Sequence, residues 1–139
     1  MYWERFLLLS SVAILAACGE DGSVTRDAAL ADAAPRQLVI ESKQLLVGEL
    51  VEATLTGGPG DVAVISVDAP TNKLDWNIHG HEDGATQTVY EELNRMTVDY
   101  VFVPSSQTDW WLLLRNSGPT NMDVMVQVEL HGDMTWAWQ

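Results

Sequence analysis

Residues 79 to 83 read His-Gly-His-Glu-Asp, the one place in this chain where types and spacing together suit a metal ion. On an extended strand, residues two apart share a face and lie about 7 Å from each other, so His79 and His81 can reach a single ion. A third ligand is expected from Asp83 beside them or from His131, the remaining histidine, far along the chain. Imidazole donors suit Cu(II) or Zn(II). The plainer expectation is a solvated strand end beside a loop, carrying two histidines that bind nothing.

Two other side-chain types invite chemistry. Met96, Met122, Met125 and Met134 offer thioether ligands of the kind Cu(I) takes, although Met96 and Met122 fall on expected core faces, where packing accounts for them. Tryptophan is abundant, with 6 in the chain. Trp76 and one of the neighbours Trp110 and Trp111 are expected in the core, because adjacent strand residues point to opposite faces. Trp111, Trp136 and Trp138 are then the candidates for an exposed aromatic platform that takes a glycan or a peptide, or for core if a second sheet covers them.

Catalytic constellations are missing from the sequence. It has no G-x-S-x-G elbow and no phosphate-cradling glycine loop, and its only thiol is Cys18. The letters from His79 to Asp83 look like the H-x-H-x-D opening of the metallo-β-lactamase motif, but Gly84 stands where that motif places another histidine, and the chain is too short for its αββα fold. A non-enzymatic protein is the expectation.

The elements that must carry these residues begin after a leader. Met1 to Arg5 form a short n-region with the acid Glu4 beside its cation, Phe6 to Ala16 an apolar h-region, and Leu15-Ala16-Ala17-Cys18 the cut site. This run falls short of the roughly 20 apolar residues that span a bilayer. It resembles the lipobox of bacterial lipoproteins, which implies removal of residues 1–17, a diacylglyceryl thioether and further acylation (palmitate) on Cys18, and a membrane-anchored mature chain. Acyl chains contribute about 0.8 kcal/mol per buried CH2, so two or three of them hold a protein permanently. Gly19 follows the cysteine in place of the aspartate that retains enteric lipoproteins in the inner membrane, so the resemblance implies an outer-membrane location within the cell envelope.

Residues 18–36 form the expected tether: polar, Ala-rich and free of aromatics, bounded by Gly19 and Pro35. Residues 37–139 alternate between short apolar runs and turn signals. Residues 38–50 fit a helix or a strand, and a strand is preferred. Val51 to Thr56 alternates with period two, and Gly57-Gly58-Pro59-Gly60-Asp61 marks a turn. The segments Asp61 to Val67 and Asp109 to Arg115 are apolar on both faces, as central strands are. Leu74, Trp76 and Ile78 line one face of a strand that runs into Gly80, with a polar loop from His81 to Ala85. Thr86 to Tyr90 is a further strand, Glu91 to Asn94 a connection, and Met122 to Leu130 the clearest alternation. Seven or eight such strands make an all-β fold, an antiparallel β-sandwich of jelly-roll type.

Tyr100 to Pro104, Asp109 to Asn116 and Val124 to Val128 resemble the closing strands of the GOLD (emp24-like) sandwich, where a strand ending in Asn precedes a last alternating strand. That resemblance implies a non-catalytic domain that binds cargo or a partner, and transfers no individual binding residue.

Composition narrows the partners. Seven Lys and Arg stand against 20 Asp and Glu, a formal charge of −13 spread along the chain. Such a surface repels nucleic acid and anionic headgroups, which leaves an envelope protein or a glycan as the partner and the lipid as the membrane contact. With one cysteine no disulfide forms within the chain, so packing must supply stability.

Overall fold

The computed structural model describes residues 35–82 and 84–139. The expected leader, Cys18, the expected tether as far as Ala34, and Asp83 lie outside the described residues. Among the described residues nine strands follow one another: β1 (Gln37–Leu45), β2 (Leu50–Gly57), β3 (Val62–Asp68), β4 (Leu74–Glu82), β5 (Ala85–Arg95), β6 (Thr97–Phe102), β7 (Thr108–Asn116), β8 (Met122–His131) and β9 (Thr135–Trp138). They form a four-stranded sheet in the order β1-β8-β3-β6 and a five-stranded sheet in the order β5-β4-β7-β2-β9, with every pairing antiparallel. The chain is an antiparallel β-sandwich.

Residues 38–50 resolve into strand and turn. Glu49 N donates to Leu46 O at 3.0 Å, and Gly48 takes the left-handed conformation (φ 74°) that an L side chain resists. The count of nine exceeds the seven or eight expected, and two boundaries move. His81 and Glu82 belong to β4 rather than to a loop, and Glu91, Glu92 and Asn94 belong to β5 rather than to a connection. Strand β5 is the edge of its sheet and is exposed at nearly every position, so no buried face writes a period-two pattern into its sequence. Its register against β4 shifts twice, the kind of irregularity that blunts an edge against pairing with other chains.

Strands β3 and β7 sit inside their sheets with a neighbour on each side, as their two apolar faces foretold. Ala63, Ile65 and Val67 from β3 face Leu112 and Leu114 from β7 across the core, with Val124, Val126 and Val128 beside them. Each open side of the sandwich is closed by aromatics. Along the β5/β6 side, Tyr90 stacks on Tyr100 with centroids 4.8 Å apart, and both contact Trp76. Along the β1/β9 side, Trp138 Nε1 donates to Glu41, and Lys43 Nζ lies 4.8 Å above the Trp138 ring.

Met96 departs from its expected core position and is 51% exposed. Strand β6 starts at Thr97, so Met96 lies in the turn before it, where its carbonyl accepts from Ala69 N at 2.7 Å and its side chain is exposed. Met122 and Met134 are buried and Met125 is exposed, so the four methionines share no face.

Candidate functional site

Asn77, His79 and His81 alternate along β4 with the buried Trp76, Ile78 and Gly80, which sends all three to the outer face of the five-stranded sheet. Strand β7 lies beside them with Trp111 opposite His79 and Leu113 opposite Asn77. Strand β2 follows, with Thr54 opposite Trp111 and Glu52 opposite Leu113. Three strands thus lay imidazole, indole and carboxylate side by side.

The histidines differ from the solvated pair expected of a strand end. His79 is only 4% exposed although it sits on an outer face. Trp111 stacks over it with centroids 6.0 Å apart and planes at 14°, and His81 packs edge-on against both, at 5.1 Å from His79 and 4.5 Å from Trp111. Its Nδ1 is 2.8 Å from Asn77 Oδ1, and its Nε2 is 3.6 Å from Glu52 Oε1, beyond hydrogen-bond reach. His81 is exposed, with its Nδ1 3.4 Å from Thr86 Oγ1.

Burial holds the His79 pKa below its ordinary 6.5; the Glu52 charge opposes this and the His81 neighbour adds to it. A lowered folded-state value means that the unfolded chain binds the proton more readily. The stability His79 contributes is therefore complete above pH 6.5 and is lost as pH falls through its folded value. Urea midpoints measured from pH 7.5 down to 5 in the wild type should fall more steeply than in His79→Gln, and parallel curves would show that His79 does not titrate on unfolding.

Gly80, between the histidines, has a packing role of its own. It lies opposite Trp110 on the core side, and a Cβ there would come 2.9 Å from Trp110 Cζ3. The spacing His-Gly-His thus follows from a core tryptophan as well as from the outer face. Gly80→Ala is expected to cost about 2 kcal/mol through overpacking, read as a lower urea midpoint with the m-value unchanged.

His131 does not join this group. It closes β8 in the four-stranded sheet, is 2% exposed, and its Nε2 has no hydrogen-bond partner among the described residues, with a Glu129 carboxylate oxygen 4.0 Å away. Among the described residues no three His, Cys, Asp or Glu side chains, as they are placed, form a group that could hold a metal ion.

The aromatic platform does not assemble either. Trp136 and Trp138 pair with Leu55 and Ala53, whose side chains are buried, so both indoles take the inner face of the sheet that carries Trp111 outside. There they pack edge to face at 5.2 Å and cover the core at its β1/β9 side, half-buried. Trp111 is half-buried against the histidines.

Glu52 and Asn77 complete the site without having been singled out in the sequence. Both are outward positions of alternating strands, and nothing local marks them. A shallow groove of about 160 Å³ continues the same face past Asn77 and Leu113 to Asp75, Glu91 and Arg115.

No family model matches the chain, and no curated protein matches it. Among solved structures, the chain is similar to PliG from Aeromonas hydrophila, a periplasmic lysozyme inhibitor of g-type lysozyme, with a TM-score of 0.54 and 8% identity over 71% of this chain and 89% of that one. The mitogen YPM from Yersinia pseudotuberculosis gives a TM-score of 0.48 and 10% identity over the same shares, 71% and 89%. At such identity the PliG likeness speaks for the sandwich fold alone.

Proposed function

We propose that this chain is a lipid-anchored, non-enzymatic protein of the cell envelope whose sandwich binds a cationic protein partner. The observation that carries this reading is the outer face of the four-stranded sheet. Asp68, Asp99, Asp123 and Glu129 are its outward charges, and no Lys or Arg points outward from these four strands. Between the carboxylates stand Leu38, Ile40, Val101 and Met125, 47 to 58% exposed. Apolar anchors inside one sign of charge suit a basic partner, which the field steers and the apolar side chains hold.

The fold shared with PliG makes g-type lysozyme the first partner to test. The purified full chain should form a complex with it that weakens as salt rises, and should slow its lysis of cell walls. Asp99→Lys combined with Glu129→Lys should weaken the complex at least about tenfold, since like charges at an interface cost more than a kcal/mol. A chain that captures no basic protein at low ionic strength, or that binds one equally well after both reversals, refutes the proposed surface.

The anchor rests on Cys18, which supports acylation by its place after Leu15-Ala16-Ala17. Labelled palmitate should enter the wild type and be absent from Cys18→Ser, which should leave the membrane fraction. Gly19 supports the outer membrane as the destination. Wild-type protein without label would refute the lipoprotein assignment.

A further inference from the structure

We infer that His79, His81 and Glu52 form a binding site for one divalent transition-metal ion, Cu(II) or Zn(II), on the outer face of the five-stranded sheet. The site stands apart from the proposed partner-binding face, which belongs to the other sheet.

The gap between His79 and Glu52 is the first reason. In the neutral tautomer that donates Nδ1–H to Asn77 Oδ1, 2.8 Å away, His79 Nε2 presents a lone pair, and the atom it faces at 3.6 Å is a carboxylate oxygen, also an acceptor. A cation between two facing acceptors would satisfy both. Donors held tetrahedrally about 2.1 Å from one ion lie about 3.4 Å apart, close to the separation found here.

The imidazoles supply the second reason. Two rings bound tetrahedrally to a single ion have centres about 5.3 Å apart, and those of His79 and His81 are 5.1 Å apart. His81 is exposed, and the site requires a rotation of its side chain that brings a ring nitrogen to the same point. The outer contact of His79 follows the pattern of metal-bound histidine, in which the second ring nitrogen is held by an oxygen, here Asn77 Oδ1. A fourth position stays open to water.

Imidazole and carboxylate favour Cu(II) over Zn(II) by the general order of divalent affinities. Trp111 serves as a reporter, because its ring lies 4.5 Å from that of His81 and Cu(II) quenches indole emission at short range.

The purified full chain, stripped with a chelator, should bind one Cu(II) or one Zn(II), Cu(II) more tightly, with part of its fluorescence quenched by Cu(II). Trp111→Phe should keep the affinity and lose that part of the quenching. His81→Ala and Glu52→Gln, both at positions with some exposure, should each lower the affinity about 100-fold, and Asn77→Ala by about tenfold, since outer contacts alone are worth about 10 to 100-fold. His131→Ala should leave the affinity unchanged. The proposal is overturned if no ion binds at 1:1 stoichiometry, or if either His81→Ala or Glu52→Gln binds as tightly as the wild type.

Discussion

Asn116→Ala is expected to lower the unfolding free energy by about 4 kcal/mol, which for a domain of this size moves the melting temperature by roughly 20 °C. Asn116 ends β7 with no exposure at all. Its Nδ2 donates to Leu45 O at 3.1 Å and to Thr120 O at 2.8 Å, and its Oδ1 accepts from Gly118 N at 2.8 Å. Its backbone exchanges bonds with the turn before β2, donating to Glu49 O and accepting from Gly48 N. One amide therefore joins the end of β1, the turn that follows it, and the β7–β8 turn. Truncation leaves the buried Leu45 carbonyl and Gly118 N–H short of a partner, each worth about 1 to 3 kcal/mol, and frees the partly buried Thr120 carbonyl as well. Asn116→Asp should be at least as damaging, because a carboxylate cannot donate to the two carbonyls and would carry charge into a closed site. Chemical denaturation with the m-value unchanged measures the loss, and a loss below about 1 kcal/mol would mean that these bonds are made elsewhere once Asn116 is gone.

Trp76→Ala should cost about as much, roughly 4 kcal/mol, by a different route. Trp76 is 1% exposed and fills the β5/β6 side of the sandwich, with ring centroids 5.5 Å from Tyr90 and 5.4 Å from Tyr100. Its Nε1 donates to Glu92 Oε2 at 3.1 Å, tying the edge strand β5 to its neighbour. Removing the indole opens a cavity and leaves the stacked tyrosines without a wall, so near-ultraviolet dichroism should weaken along with stability. Trp76→Phe keeps most of the packing and gives up the bond to Glu92, for a loss of about 1 to 2 kcal/mol. Equal losses in the two variants would assign the effect to the hydrogen bond rather than to volume.

Much of the sandwich was legible in the chain because strand periodicity is a local property. Met122 to Leu130 alternates, and β8 buries Met122, Val124, Val126, Val128 and Leu130. Asp109 to Arg115 is apolar on both faces, and β7 lies at the centre of its sheet. Trp110 and Trp111 were certain to part, and Trp110 is the buried one, at 6% exposure. Edge strands were harder: β5 carries no alternation because neither of its faces is buried, and its length had to come from pairing with β4.

Alternation by itself determined which residues of a strand share a face, so His79 was bound to lie with His81 and Trp136 with Trp138. It could not relate the face of one strand to that of another. Register and strand order decided that. Placing β7 between β4 and β2 brought Glu52 to His79 across 27 positions of sequence, while the pairing of β9 with β2 turned Trp136 and Trp138 to the face opposite Trp111. His131 went to the other sheet with β8. A strand's phase relative to its partners is set by contacts between residues far apart in the chain, and those exist only once the two sheets have closed on their core.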